Sequence, residues 1–180
     1  MTHDNLGKYV SYILRHRPDD IGIKMNQAGY VSVEDLITLS VVKKKYFTLD
    51  EILELVKLDD KGRFELFDSV DHGLQIRCVQ GHSVAWVDVG LSIETPPEVL
   101  YHGTACQFVE RIRKLGINSG KRLHVHLSED IDTAIQSGKR KGEPVVIKVD
   151  TKAMLEAGLL FYKANNSVWL ADYVPSEFLI

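Results

Sequence analysis

Leu6, Val10, Ile13 and Leu14 recur at helical spacing, and Pro18 halts the run. This predicts a first helix whose polar end carries Arg15-His16-Arg17. Ser32-Val33-Glu34-Asp35 has the form of a capping box, with Leu36, Ile37 and Leu39 as the apolar face behind it. Thr48-Leu49-Asp50-Glu51 predicts another helix start, leading into Ile52, Leu53 and Val56. Strand-like runs follow at 63–67 and 75–80, joined by a loop that contains His72-Gly73.

The prolines of Glu94-Thr95-Pro96-Pro97 interrupt both helix and ladder hydrogen bonding, and they predict a break between lobes 1–94 and 95–180. Beyond it, Val99–Tyr101 reads as a strand running into His102-Gly103-Thr104. Residues 105–115 fit a helix stopped at Gly116, and 124–127 alternate as a strand. Ser128 is expected to cap a helix rich in first-turn acids, with Gly138 at its end. Residues 144–149 form a β-branched strand, and 161–162 and 168–170 flank an Asn165-Asn166 turn. Helices and strands are mixed within each lobe, which predicts the α+β class. Three helices followed by a hairpin is the order of a winged helix, and a generic small α+β lobe shares it.

Composition narrows the function classes. The chain has 180 residues, 44% hydrophobic and 26% charged, as in a globular protein. No apolar run reaches the roughly 18 residues of a membrane span, and the N-terminus lacks a signal-peptide pattern. Cys78 and Cys106 are the only cysteines and form no C-x-x-C, so a reducing, cytoplasmic setting is expected and a thiolate zinc site is not. The net charge of −3 argues against a broad nucleic-acid face, but it averages a −6 stretch over 51–100 with +4 over 101–142.

Several residues can carry chemistry. Arg15 and His16 side by side would grip a phosphate through a guanidinium fork and an imidazole donor; they also fit a solvated helix end. Arg77 lies between apolar neighbours on a strand, a position that is often exposed. Gln80-Gly81-His82-Ser83 places polar side chains around a glycine that admits close backbone approach to a ligand. Lys139-Arg140-Lys141 fits either phosphate binding or a solvated face. His124 and His126 lack a carboxylate or cysteine at ligand spacing, so no metal is expected. Neither a Walker loop nor a dinucleotide-binding glycine fingerprint occurs.

Taken in order, these segments resemble the NAD-dependent RNA (tRNA) 2′-phosphotransferases. The matching stretches are Ser11-Tyr-Ile-Leu-Arg-His-Arg-Pro18, Ile21-Gly22 with Gly29-Tyr30, and Ile76-Arg-Cys-Val-Gln-Gly-His-Ser83. Leu100-Tyr-His-Gly-Thr104, Val125-His-Leu-Ser128, Gly138-Lys-Arg140 with Pro144-Val-Val146, and Val168-Trp-Leu170 complete the set, which spans residues 6 to 179.

The resemblance implies a winged-helix RNA-binding lobe followed by an ADP-ribosyltransferase-like lobe that binds NAD as co-substrate, with no metal. It implies removal of an internal 2′-phosphate from RNA through an ADP-ribosylated RNA intermediate. It places the catalytic tetrad on Arg15, His16, Arg77 and Arg140. NAD contacts fall on His102, Gly103, Thr104, Arg122, His126 and Ser128, and the phosphate pocket on Gln80, Gly81, His82 and Ser83. The partner implied is RNA carrying a 2′-phosphate, with no membrane and no obligate protein partner. Tyr30 stands where the family usually has Trp, and Ser167 where it usually has Gly. Two other readings share these motifs or lobes: an ADP-ribosyltransferase acting on nucleic-acid terminal phosphates or protein, and a winged-helix DNA regulator without catalysis.

Overall fold

The computed structural model describes residues 2–180, which form two compact units divided between Gly90 and Leu91. The division precedes the expected break at 94 because Ser92–Ile93 already pairs with Tyr162–Lys163 in the second unit. Both units mix helices and strands, in keeping with the α+β class. Among the described residues no helix is long and apolar enough to cross a membrane.

The first unit runs α1 (His3–His16), β1 (Val31–Ser32), α2 (Val33–Ser40), α3 (Leu49–Lys57), β2 (Phe64–Ser69) and β3 (Gly73–Cys78). Leu6, Val10, Ile13 and Leu14 of α1 are buried against Leu36, Ile52, Leu55 and Ile76, so the periodic apolar face becomes the core. The Ser32 hydroxyl accepts the Asp35 N–H, and Thr48 with Glu51 closes a reciprocal capping box. The sheet order is β1-β3-β2, antiparallel throughout. The hairpin register runs from Phe64↔Cys78 to Ser69↔Gly73, so both strands begin or end nearer the turn than the apolar pattern suggests.

The second unit contains β4 (Ser92–Ile93), β5 (Val99–Ala105), α4 (Cys106–Leu115), β6 (Ile117–Asn118), β7 (Val125–Leu127) and α5 (Ile131–Lys139). It continues with β8 (Pro144–Asp150), α6 (Thr151–Glu156), β9 (Tyr162–Lys163), β10 (Trp169–Ala171) and β11 (Tyr173–Val174). The sheets are β4-β9-β10-β7, β5-β8 and β11-β6, with a bridge from Tyr101 to Ser128. Leu100, Val125, Val149, Met154, Phe161 and Trp169 lie in its core.

Three local expectations change here. His102-Gly103-Thr104 lies inside β5 rather than beyond its end, because the β5–β8 ladder continues from Val99↔Asp150 to Ala105↔Pro144. The α5 cap is Asp130, whose carboxylate accepts the Thr133 N–H at 2.7 Å; Ser128 instead closes a tight turn with Asp130. Gly138 lies within α5, which ends at Lys139 with Arg140 as its cap.

Candidate active site

The last turn of α1 carries the first pair. Arg15 is only 8% exposed, although it sits beside the apolar stripe, and its Nε and Nη2 atoms are buried without a hydrogen-bond partner among the described residues. A desolvated cation with unused donors is costly unless an anion completes it. The guanidinium lies against Gly81, where a side-chain carbon would stand 3.3 Å from Nε and 3.4 Å from Cζ. Gly81 also has φ +88°, so glycine is required there for conformation and for close approach. The Ser83 N–H donates to the Arg15 carbonyl at 2.9 Å, and Ser83 Oγ lies 3.0 Å from His16 Nδ1. The Gly81–Ser83 loop therefore ties off the end of α1 and orients the imidazole.

Arg77 is not the exposed strand residue its neighbours suggest. It is 9% exposed, and its guanidinium is engaged on several sides. Nε and Nη2 donate to Glu65 Oε2 at 3.2 and 2.9 Å. Nη1 donates to the Ala28 and Val89 carbonyls, both at 3.2 Å. Its Cζ stands 4.6 Å from the Tyr30 ring centroid, within cation–π range. The difference arises because the β2–β3 register sets Glu65 directly opposite Arg77, giving the cation a partner on the same sheet face.

His82 is 3% exposed, and its Nε2 is buried without a partner among the described residues. Burial, followed by the positive fields of Arg15, His16 and Arg77, pushes its pKa down to about 4. It is neutral near pH 7 and marks how closely the cations converge in this unit. Gly29, at φ +82°, makes room for it, since a side-chain carbon there would stand 3.3 Å from Nε2. Gln80 is also buried. The first unit thus gathers Arg15, His16, Arg77 and the Gln80–Ser83 segment.

In the second unit, α5 lies unusually close to β5. A side-chain carbon at Gly103 would stand 1.7 Å from the Ala134 carbonyl oxygen, and one at Gly138 would stand 2.4 Å from the Thr104 carbonyl oxygen. One glycine on each partner, Gly103 of β5 against Ala134 and Gly138 of α5 against Thr104, lets helix and strand backbones touch, which fixes where α5 delivers exposed Arg140. His102 Nδ1 lies 3.0 Å from the His126 carbonyl, which only accepts, so Nδ1 carries the proton. Burial lowers the His102 pKa and keeps this ring neutral. His126 Nδ1 similarly donates to the His124 carbonyl at 3.1 Å. Thr104 is 1% exposed, whereas Ser128 and Arg122 are half-buried in the segments around β7. Tyr30, Glu65 and Gly29 were absent from the expected site. For Glu65, the signal was the hairpin register, readable once the turn is confined to 70–72.

These features define an α+β protein whose first unit holds a buried cationic cluster with unspent donors. Residues 2–173 match the model of the RNA 2′-phosphotransferase, Tpt1 / KptA family. A probable RNA 2′-phosphotransferase of Pectobacterium atrosepticum is 42% identical over 175 residues, covering 97% of this chain and 96% of the relative. One from Nostoc punctiforme is 46% identical over 174 residues, covering 97% and 94%. One from Rhodopirellula baltica is 42% identical over 172 residues, covering 96% and 92%. The chain belongs to the RNA 2′-phosphotransferase, Tpt1 / KptA family.

Proposed function

We propose that this protein removes an internal 2′-phosphate from RNA by transferring it to NAD, in the cytoplasm. The observation that carries the reading is Arg15: a buried guanidinium with free Nε and Nη2 donors, next to His16 in the chain and sharing with Arg77 the surroundings of His82, suits a phosphate dianion. On this reading the first unit is a winged-helix RNA-binding lobe, supported by its three helices and β2–β3 hairpin. The second is an ADP-ribosyltransferase-like lobe that binds NAD through His102, Gly103, Thr104, Arg122, His126 and Ser128. The neutral, oriented imidazole of His102 fits the donor and acceptor groups of a dinucleotide.

The reaction has two balanced steps. A 2′-phosphate oxygen attacks C1″ of the nicotinamide ribose, forming a C–O bond as nicotinamide leaves. The 2″-hydroxyl then attacks the phosphorus, which breaks the bond to the RNA 2′-oxygen. RNA regains its 2′-hydroxyl, and ADP-ribose 1″,2″-cyclic phosphate departs. The nucleophile is already anionic, so orientation and desolvation matter more than a strong base. Arg15, His16, Arg77 and Arg140 are the groups proposed to orient the phosphate and stabilise its transition states, with Gln80–Ser83 lining its pocket. Incubating a 2′-phosphorylated oligonucleotide with the protein, with and without NAD, tests this. Loss of the phosphate only with NAD is expected, and Arg77→Ala or His16→Ala should let ADP-ribosylated RNA accumulate. Persistence of the phosphate in the presence of NAD would overturn the reading. A stable ADP-ribosylated product from wild type would instead indicate a transferase acting on terminal phosphates or protein.

A further inference from the structure

Arg77 is held by a residue that neither the sequence motifs nor the proposed tetrad includes. An arginine has five N–H donors. Four are occupied: two by Glu65 Oε2, one by the Ala28 carbonyl and one by the Val89 carbonyl. One Nη2 N–H is not engaged by these bonds. The Glu65 carboxylate is itself held, since the Tyr30 hydroxyl donates to Oε1 at 2.9 Å. The ring of the same tyrosine lies under the guanidinium. Glu65 and Tyr30 therefore bind each other and Arg77 from two directions, edge and face.

We propose that Glu65, buttressed by Tyr30, is a positioning residue for Arg77, fixing the guanidinium plane so that its remaining Nη2 N–H is presented to the substrate phosphate. This rests on the phosphate-transfer reading above. Three features of the geometry support it. Oε2 takes both Nε and Nη2, which sets the plane rather than a single atom. The carboxylate is 34% exposed and the Arg77 side chain 11%, so the pair sits at the rim of the buried cluster rather than deep in the core. Among the described residues Glu65 is also the one acidic group bonded to Arg15 or Arg77, and Arg15 makes no ion pair. The two arginines thus differ in kind. Arg15 is an unpaired cation suited to holding an anion, and Arg77 is a charge-compensated donor suited to aiming one hydrogen bond. Burial and the Glu65 carboxylate raise the Tyr30 pKa, which keeps its hydroxyl a donor.

The test uses the full chain, NAD and a 2′-phosphorylated oligonucleotide, following nicotinamide release and phosphate loss separately in single turnovers. Glu65→Ala should slow the same step that Arg77→Ala slows, by about ten- to hundredfold, as a misaimed group does. The RNA KM should change little. Glu65→Gln, which keeps an acceptor oxygen, should recover part of the rate, and Tyr30→Phe should lose less than Glu65→Ala. The Glu65→Ala/Arg77→Ala double variant should be no slower than Arg77→Ala alone. A merely structural role would lower Tm and the active fraction without this non-additivity. Wild-type rates in Glu65→Ala, or equal slowing in both backgrounds, would overturn the inference while leaving the function standing. If wild type fails to remove the phosphate with NAD, the function itself falls and takes this role with it.

Discussion

Arg15 and His82 show what individual side chains contribute in this fold. Both are buried polar groups with unpartnered nitrogen atoms among the described residues, and for His82 this has a consequence for pH. The His82 imidazole is neutral in the folded chain down to about pH 4, while an unfolded histidine protonates near 6.5. Between these values the unfolded state binds more protons, so this residue makes stability fall as pH falls. Denaturant melts of wild type and His82→Gln at pH 7 and pH 4.5 should show wild type losing about 2 kcal/mol more than the variant. An identical loss in both would mean that His82 already titrates normally. Cys78 offers a second test at this scale. It is buried, and desolvation pushes its thiol up to about 11, whereas Cys106 is exposed. A thiol reagent should modify Cys106 in the native protein and reach Cys78 only after unfolding. Rapid native labelling of both would contradict the packing described around α1 and β3.

At the scale of elements, the caps and apolar stripes were legible because they are local. Thr48 and Glu51 spell out a reciprocal cap, and Leu6, Val10, Ile13 and Leu14 fall on one helical face. The partners of Arg77 were not legible, because Glu65 reaches it only through the strand register, and Ala28 and Val89 only through tertiary contact. The close approach of α5 to β5 was hidden for the same reason. Gly138 looks like a helix stop in sequence, yet its absent side chain is what lets the helix lie on the Thr104 carbonyl. Gly138→Ala should therefore destabilise the protein by about 2 kcal/mol or more through overpacking. Because Arg140, the cap of α5, is one of the groups proposed to act on the phosphate, turnover should fall further than the loss of folded protein explains. Urea melts alongside rate measurements check both, and unchanged stability would show that the helix shifts freely. Ser167, which stands where the resemblance leads one to expect glycine, adopts φ +62° in the turn between β9 and β10. Ser167→Gly should raise stability by up to about 1 kcal/mol in the same melts. A drop would place the cost of this turn elsewhere.

For the whole molecule, the net charge of −3 conceals where the cations lie. The acidic stretch over 51–100 contains Glu65, which holds one arginine of the cluster, and Asp59, which pairs with Arg63 at 2.7 Å. Part of that negative charge thus organises cations rather than repelling RNA. On the proposed reading, what remains for a ligand is local: a buried guanidinium in the first unit, and Arg140 capping α5 in the second. This distribution suits recognition of one phosphate and one dinucleotide better than a broad grip on duplex nucleic acid. The reaction proposed for it leaves a specific small molecule behind. Mass spectrometry of the products after incubation with NAD and 2′-phosphorylated RNA is the most direct measurement. ADP-ribose 1″,2″-cyclic phosphate together with free nicotinamide is the expected result. Inorganic phosphate, or unconsumed NAD beside dephosphorylated RNA, would contradict it.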